Sequence, residues 1–298
     1  MNNFTNTGSI VIECRNVSCR RPGSTAPAVD GVSLAVRRGE WLCLAGRNGS
    51  GKSTLIRLMA GLVPACGGEV LIEGERFAGG AASRLLGKIG VLFSEPDDQF
   101  VGQTVADDIA FGLENLCLSR EEMEERIARV ASLLGIERLL ARHPATLSGG
   151  QKQLAAMAAV LAMEPSILLL DEPGSMLDDR SREQFRAVVG RLHATGRYTI
   201  VQATHDPADM LAADRLAMLA GGRLLAEGRP ERLLADGELL AECRMEMPFV
   251  LAFCRELARL GFDIGDHLDE RKAVDALWAF CSTTSRPAIG TMPRVRMR

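Results

Sequence analysis

Gly46-Arg47-Asn48-Gly49-Ser50-Gly51-Lys52-Ser53 lies between the short apolar run Trp41-Leu-Cys-Leu-Ala45 and a helix-forming stretch that extends from Lys52 to Ala60. Glycine here lets successive backbone amides turn inward, and the following helix start adds its positive end. The spacing predicts a loop that cradles nucleotide phosphate, built from Gly46, Asn48, Gly49, Ser50, Gly51 and Thr54. Lys52 would neutralise β- and γ-phosphate charge, and the Ser53 hydroxyl would coordinate Mg²⁺. A glycine-rich turn ahead of a surface helix has similar composition. The complete motif between a strand and a helix favours the phosphate reading.

About a hundred residues on, Leu147-Ser148-Gly149-Gly150-Gln151 heads a second predicted helix that runs to Met163. If Ser148, Gly149, Gly150 and Gln151 also meet phosphate, one chain holds two anion-binding helix starts but a single phosphate loop. That arithmetic predicts a dimer with nucleotide sandwiched between subunits. Ile167-Leu-Leu-Leu170 reads as a strand buried on both faces, and it delivers Asp171 and Glu172 to the ligand-side edge of a parallel sheet. Asp171 suits a Mg²⁺ shell, and Glu172 suits a general base that polarises water. Asp171 alone could equally be a helix cap. Thr204-His205-Asp206 follows another strand, Tyr198 to Ala203, where His205 could hold water against a γ-phosphate.

The remaining pattern organises these motifs. Loose alternation from Val11 to Val36 predicts strands and a turn, and Glu69–Ile72 and Lys88–Phe93 read as further strands. A mostly helical insert then interrupts the strand–helix alternation over about residues 94–165. Within it Ser119-Arg-Glu-Glu122 is a capping box, and Met123, Ile127, Val130 and Leu134 recur at helical spacing up to Gly135. Arg180 to His193 carries Phe185, Val188, Val189 and Leu192 on one stripe. Beyond a boundary near residue 230, Phe249, Phe253, Leu257 and Leu260 mark one helix and Val274, Leu277, Trp278 and Cys281 another. Core packing is the expectation for these stripes.

The 298 residues are 47% hydrophobic and 24% charged, with a formal net charge of −3, as in an ordinary soluble globular protein. That balance argues against a nucleic-acid partner, which would favour a strongly basic face. No basic flank and apolar core open the chain, and no apolar run spans a membrane, so a cytoplasmic location is expected. The eight cysteines lack metal spacing or an obvious disulfide pattern and read as buried thiols of a reducing compartment. After Asp275 there is no acid, whereas Arg286, Arg294, Arg296 and Arg298 follow; residues 283–298 are expected to form a basic, unstructured tail.

Taken in order, the phosphate loop, Leu147–Gln151, the apolar strand ending in Asp171-Glu172, Ser175-Met-Leu-Asp178 and His205 resemble the ATP-binding cassette (ABC) ATPases over roughly residues 10–230. The resemblance implies an α/β fold: a P-loop NTPase with a RecA-like parallel sheet core, an N-terminal antiparallel β subdomain, a helical insert and a small C-terminal helical domain. It implies that Ser148–Gln151 caps ATP on another subunit's phosphate loop and that Asp178 belongs to the D-loop, which communicates across the dimer. A narrower stretch, Phe93-Ser94-Glu95-Pro96-Asp97-Asp98-Gln99-Phe100-Val101-Gly102, is similar to energy-coupling factor (ECF) transporter ATPases, with details most like the first of their two paired subunits. Ser94, Pro96, Asp97, Asp98 and Gln99 then become coupling residues, and residues 231–282 a helical dimerisation domain.

That resemblance implies an ATPase on the cytoplasmic face of the membrane that drives import of a vitamin or transition-metal ion. Its partners would be a second ECF-type ATPase (or another copy of this chain), a transmembrane coupling protein and a substrate-binding membrane component. Two departures bear on activity. Ser94 stands where the family usually has Gln, and Cys19-Arg20-Arg21 replaces the aromatic ring that stacks on adenine, leaving Arg21 as the stacking candidate or as a solvated strand residue. The alternatives are an ATP-gated subunit whose partner performs most hydrolysis, and a soluble non-transport ABC protein.

Overall fold

In the computed structural model, which describes residues 8–21, 23, 26–77, 85 and 87–283, two sheets organise the chain. The first is antiparallel, in the order β2-β1-β4-β5, formed from β1 (Ile10–Arg20), β2 (Pro27–Arg37), β4 (Gly67–Ile72) and β5 (Glu75–Phe77). Alternation along β1 turns Ile12, Cys14, Val17 and Cys19 inward, with bulges where the register with β2 slips. The second runs β10-β9-β3-β8-β7-β6, using β3 (Trp41–Ala45), β6 (Ile89–Leu92), β7 (Ile167–Asp171), β8 (Thr199–Thr204), β9 (Arg215–Ala220) and β10 (Arg223–Gly228). It is parallel except for β10, which pairs antiparallel with β9 at the edge. β3, β7 and β8 are buried along their whole length, as strands covered on both faces must be.

β3 shows how the layers meet. Trp41, Cys43 and Ala45 face one core together with α2 (Val105–Glu114), α3 (Arg120–Leu134), α4 (Gly149–Ala162) and α5 (Asp179–Ala194). Leu42 and Leu44 face the other, shared with the antiparallel sheet and α1 (Lys52–Met59). Arg215 bridges the sheets: its guanidinium donates to Glu40 at 2.6 and 3.1 Å, to Glu227 at 2.7 Å and to the Ala35 carbonyl. The expected insert is built of α2, α3 and α4. Ser119 and Glu122 close a reciprocal capping box on α3, and Gly135 ends it in the left-handed conformation that glycine favours. α2 carries a capping box of its own, Thr104 with Asp107.

α6 (Pro207–Ala212), α7 (Pro230–Leu234), α8 (Gly237–Glu242), α9 (Phe249–Arg259) and α10 (Glu270–Thr283) complete the described elements. Here one expectation is corrected. Cys254, Ile264 and Ala273 form the small C-terminal core, with Leu257 and Leu277 packed against it. Phe249 (83% exposed) and Trp278 (71%) instead face outward, as do Phe253, Leu260 and Val274. Two short helices bury only one stripe against each other, so the opposite apolar stripe stays uncovered in a single chain. The cysteine expectation also changes: Cys66, Cys117 and Cys281 are exposed, while Cys14, Cys19, Cys43, Cys243 and Cys254 are buried. The basic tail beyond residue 283 lies outside the described residues. No helix among the described residues is long and apolar enough to cross a membrane.

Candidate active site

The C-terminal ends of β3, β7 and β8 converge, and the predicted chemical groups gather there. The loop after β3 is dictated by contact. A Cβ at Gly46 would stand 2.2 Å from the Leu219 carbonyl oxygen, and one at Gly51 would stand 2.5 Å from that of Ala28, both with positive φ. Glycine is required at both places. Gly51 caps α1 without any side-chain partner for the first-turn amides, which therefore point into the loop. Ser50 is buried, and its hydroxyl has no hydrogen-bond partner among the described residues. An orphaned hydroxyl inside a glycine loop at a helix start fits an anionic ligand such as phosphate.

Lys52 is 3% exposed at its side chain, yet its ammonium is satisfied. It donates to the Gly46 carbonyl at 2.7 Å and the Arg47 carbonyl at 3.3 Å, and it pairs with Glu172 Oε1 at 3.1 Å. Ser53 Oγ donates to Asp171 Oδ1 at 2.7 Å, uniting a hydroxyl and a carboxylate from distant segments. Oxygen donors of this kind suit a hard divalent cation that keeps several of its own waters. Burial pushes the Asp171 carboxyl up, and the Ser53 hydrogen bond opposes that shift. Glu172 holds a left-handed backbone (φ 47°), costly for a residue with a Cβ, while its amide donates to the Ala203 carbonyl at 3.0 Å. Its other carboxylate oxygen meets His205 Nδ1 at 3.2 Å. Lys52, Glu172 and His205 thus form one chain of polar contacts at the sheet edge.

Arg21, Asn48, Gly49, Gly51, Lys52, Ser53, Ser94 and Glu172 line a single open cleft of about 230 Å³. Larger hollows exist. One of about 690 Å³ between α6 and the C-terminal helices is lined by apolar groups, by Glu231, Asp266, Asp269 and Glu270, and by His267 and Lys272; the excess of acids there disfavours phosphate. We therefore place the site in the smaller cleft, where the amides, ammonium and carboxylates converge. Thr54 is buried behind the loop and does not line it.

Ser148, Gly149, Gly150 and Gln151 do not line the cleft either. Ser148 caps α4 in a reciprocal box with Gln151, and Ser148 and Gly149 are exposed. The block packs against its own chain's α5 and the loop before it: a Cβ at Gly150 would meet Ser181 Oγ at 2.7 Å, one at Gly149 the Met176 carbonyl at 3.5 Å, and Asp178 caps α5 by accepting from the Ser181 amide at 2.8 Å. A built helix start that is exposed and lies outside this chain's own cleft is free to meet a ligand held elsewhere.

Several positioning residues escaped the sequence reading. Gln153, buried in α4, donates to the Phe93 carbonyl at 3.2 Å, and Lys152 pairs with Asp97 at 2.6 Å, tying the signature helix to the Ser94–Gln99 loop. Gln99 accepts from the Phe93 amide at 2.9 Å and donates to the Val91 carbonyl at 3.2 Å; Pro96, Asp97 and Asp98 form a single 3₁₀ turn between them. Arg182 donates to the Gly174 and Leu177 carbonyls, bracing the loop after Glu172. Asp209, whose carboxyl burial pushes up against the pull of Arg186, accepts from Gln202 and Thr204 just before His205. Of these, Lys152, Gln153, Arg182 and Asp209 belonged to no motif in the sequence, and only their adjacency to one offered a signal, whereas Pro96, Asp97, Asp98 and Gln99 were expected as coupling residues.

A family model described as "ABC transporter" matches residues 29–175. The chain is 38% identical over 274 residues to the energy-coupling factor transporter ATP-binding protein EcfA1 of Streptococcus mutans, covering 91% of this chain and 98% of that protein. Among solved structures, it is similar to cbiO1 from Clostridium perfringens, part of the ABC transporter complex cbiONQ: TM-score 0.71, 28% identity, 85% of this chain and 97% of that one. The ATP-binding cassette MJ0796, a dimer in a post-hydrolysis state bound to ADP and Pi, aligns with TM-score 0.67 and 27% identity over 74% of this chain and 98% of its own.

Proposed function

Because this chain belongs to the ABC transporter ATPases, in the branch of the energy-coupling factor transporter ATP-binding proteins, we propose that it powers import of a vitamin or transition-metal ion from the inner side of a membrane. The observation that carries this reading is the cleft lined by Lys52, Ser53 and Glu172, with Asp171 bonded to Ser53 and His205 to Glu172, while Ser148–Gln151 lies outside it. Lys52 and the loop amides take the triphosphate of ATP, and Ser53 and Asp171 hold Mg²⁺, which supplies neutralisation of phosphate charge. Glu172 accepts a proton from the attacking water, and His205 orients that water. Arg21, on the cleft wall, offers a guanidinium plane to the adenine ring.

Ser148–Gln151 completes the site of a second ATPase subunit, with Asp178 at the seam, and Ser94, Pro96, Asp97, Asp98 and Gln99 face a transmembrane coupling protein. A separate membrane component selects the substrate. Purifying the tagged chain from solubilised membranes tests this: the reading expects an integral membrane partner and ATP hydrolysis that Lys52→Ala abolishes. Recovery without any integral membrane protein argues against it.

One observation favours a second reading, a nucleotide-gated subunit beside a more active partner: Ser94 lines the cleft with a side chain much shorter than Gln. Turnover that rises in Ser94→Gln supports it; unchanged turnover removes it.

A further inference from the structure

Two cysteines face each other at the edge of the nucleotide cleft. Ser18 on β1 stands opposite Gly67 on β4, and the amide of Cys66, one residue before that strand, donates to the Ser18 carbonyl at 2.7 Å, which brings Cys66 beside Cys19 with their side chains in contact. Residues facing each other across neighbouring strands have Cβ atoms about 4.5–5.5 Å apart, and a disulfide needs about 3.5–4.5 Å. The gap is an ångström or so, at strand ends where the register already slips. The two thiols differ in access: Cys19 is 5% exposed, whereas Cys66 is exposed. Burial and then the neighbouring Cys66 thiol push Cys19 up, against the pull of the Arg21 guanidinium. Both Cys66 and Arg21 are therefore within electrostatic reach of one sulfur. By contrast, Cys14 lies inside the core, pushed up to about 12 by burial.

We propose that Cys19 and Cys66 constitute a reversible redox modification site, oxidised by a hydroperoxide to a disulfide that weakens nucleotide binding. The exposed Cys66 thiolate attacks one peroxide oxygen, giving the sulfenic acid and, after protonation, an alcohol or water. The Cys19 thiol then attacks the sulfenic sulfur, forming the S–S bond and expelling water; two thiols supply the two electrons that reduce one peroxide.

The direction of the effect follows from sheet order. β1 lies between β2 and β4, and the phosphate loop abuts the β2 side, where Gly51 approaches the Ala28 carbonyl. Drawing Cys19 toward Cys66 pulls the end of β1 toward β4, and Arg21, two residues on, moves away from the phosphate loop. This consequence rests on the nucleotide-site reading above; the bridge itself does not.

The test uses the full-length chain, oxidised with hydrogen peroxide, freed of excess oxidant, alkylated and digested without reduction, alongside titration with a fluorescent ATP analogue. The expected result is a linked Cys19–Cys66 peptide and an affinity weakened by about threefold, with both reversed by dithiothreitol and absent in Cys66→Ser. Cys66 recovered as a sulfinic acid or bridged to another cysteine overturns the inference, as does a linked protein with unchanged affinity. Reduced protein that binds no nucleotide fails the functional reading instead, and the linked peptide alone then decides this one.

Discussion

Replacing Glu172 by Gln separates the proposed role of that carboxylate as base from its observed role as a counter-charge. It pairs with the buried Lys52 ammonium at 3.1 Å and contacts His205 at 3.2 Å. As general base it contributes a factor of about 10²–10⁴ to turnover, and an amide cannot accept the water's proton. As a counter-charge it works against ATP, because it occupies the ammonium that triphosphate needs. At an effective dielectric of about 20, two unit charges at that separation attract by about 5 kcal/mol. The Glu172 side chain is 17% exposed and both groups give up hydration, which offsets most of that gross figure and leaves on the order of 1 kcal/mol. Glu172→Gln should therefore bind ATP roughly fivefold more tightly while turnover falls by about 10²–10⁴. The assay is ATP turnover, with analogue titration, in a detergent-purified complex whose second ATPase lacks its own base. Undiminished turnover sinks Glu172 as the base. Weaker ATP binding refutes the electrostatic reasoning even if turnover falls.

Two further outcomes concern stability. Arg215→Met strands the buried Glu40 carboxylate between the sheets, which should cost about 3–5 kcal/mol and lower the thermal midpoint by on the order of 10 °C, read by scanning calorimetry; a shift of a degree or less would show that Glu40 needs no counter-charge. His193 meets Asp214 at 3.0 Å, and that hydrogen bond raises the imidazole above its ordinary value against the opposing effect of burial. Burial raises Asp214, but hydrogen bonds from His193 and the Trp41 amide more than offset it and leave it lowered. The stabilisation from a raised His is fully present below the unfolded value near pH 6.5 and is lost as pH rises through the folded one. The gap in unfolding midpoint between the natural chain and His193→Gln should be wider at pH 6 than at pH 8.5, and an equal gap at both removes the charged pair from the account.

What the sequence made legible is what local chemistry specifies tightly. The glycine-spaced loop from Gly46 to Ser53, the apolar Ile167–Leu170 run and the Ser119/Glu122 box are each written in nearby residues, and the structure forms a loop, a doubly buried strand and a capping box there. The strand Arg215–Ala220 and the edge strand Arg223–Gly228 were not legible as such, since Arg215 opens a buried strand only because Glu40 from a distant segment and Glu227 from the neighbouring strand neutralise it. The outward Phe249 and Trp278 misled the core expectation because periodicity says which residues share a face, not whether anything covers it. Gln153 and Asp209 were invisible for a related reason: a buried polar residue has meaning only through its partners.

On the proposed function the two glycine-rich blocks serve different sites: Gly46–Ser53 would hold this chain's own nucleotide, and Ser148–Gln151 would close a partner's. The most direct measurement is photolabelling of the purified membrane complex with an azido-ATP trapped by vanadate, comparing the natural chain with Ser148→Arg. The account predicts that label on this chain's phosphate loop survives the substitution while label trapped on the partner ATPase is lost. Loss of label from this chain, with the partner's retained, would contradict it.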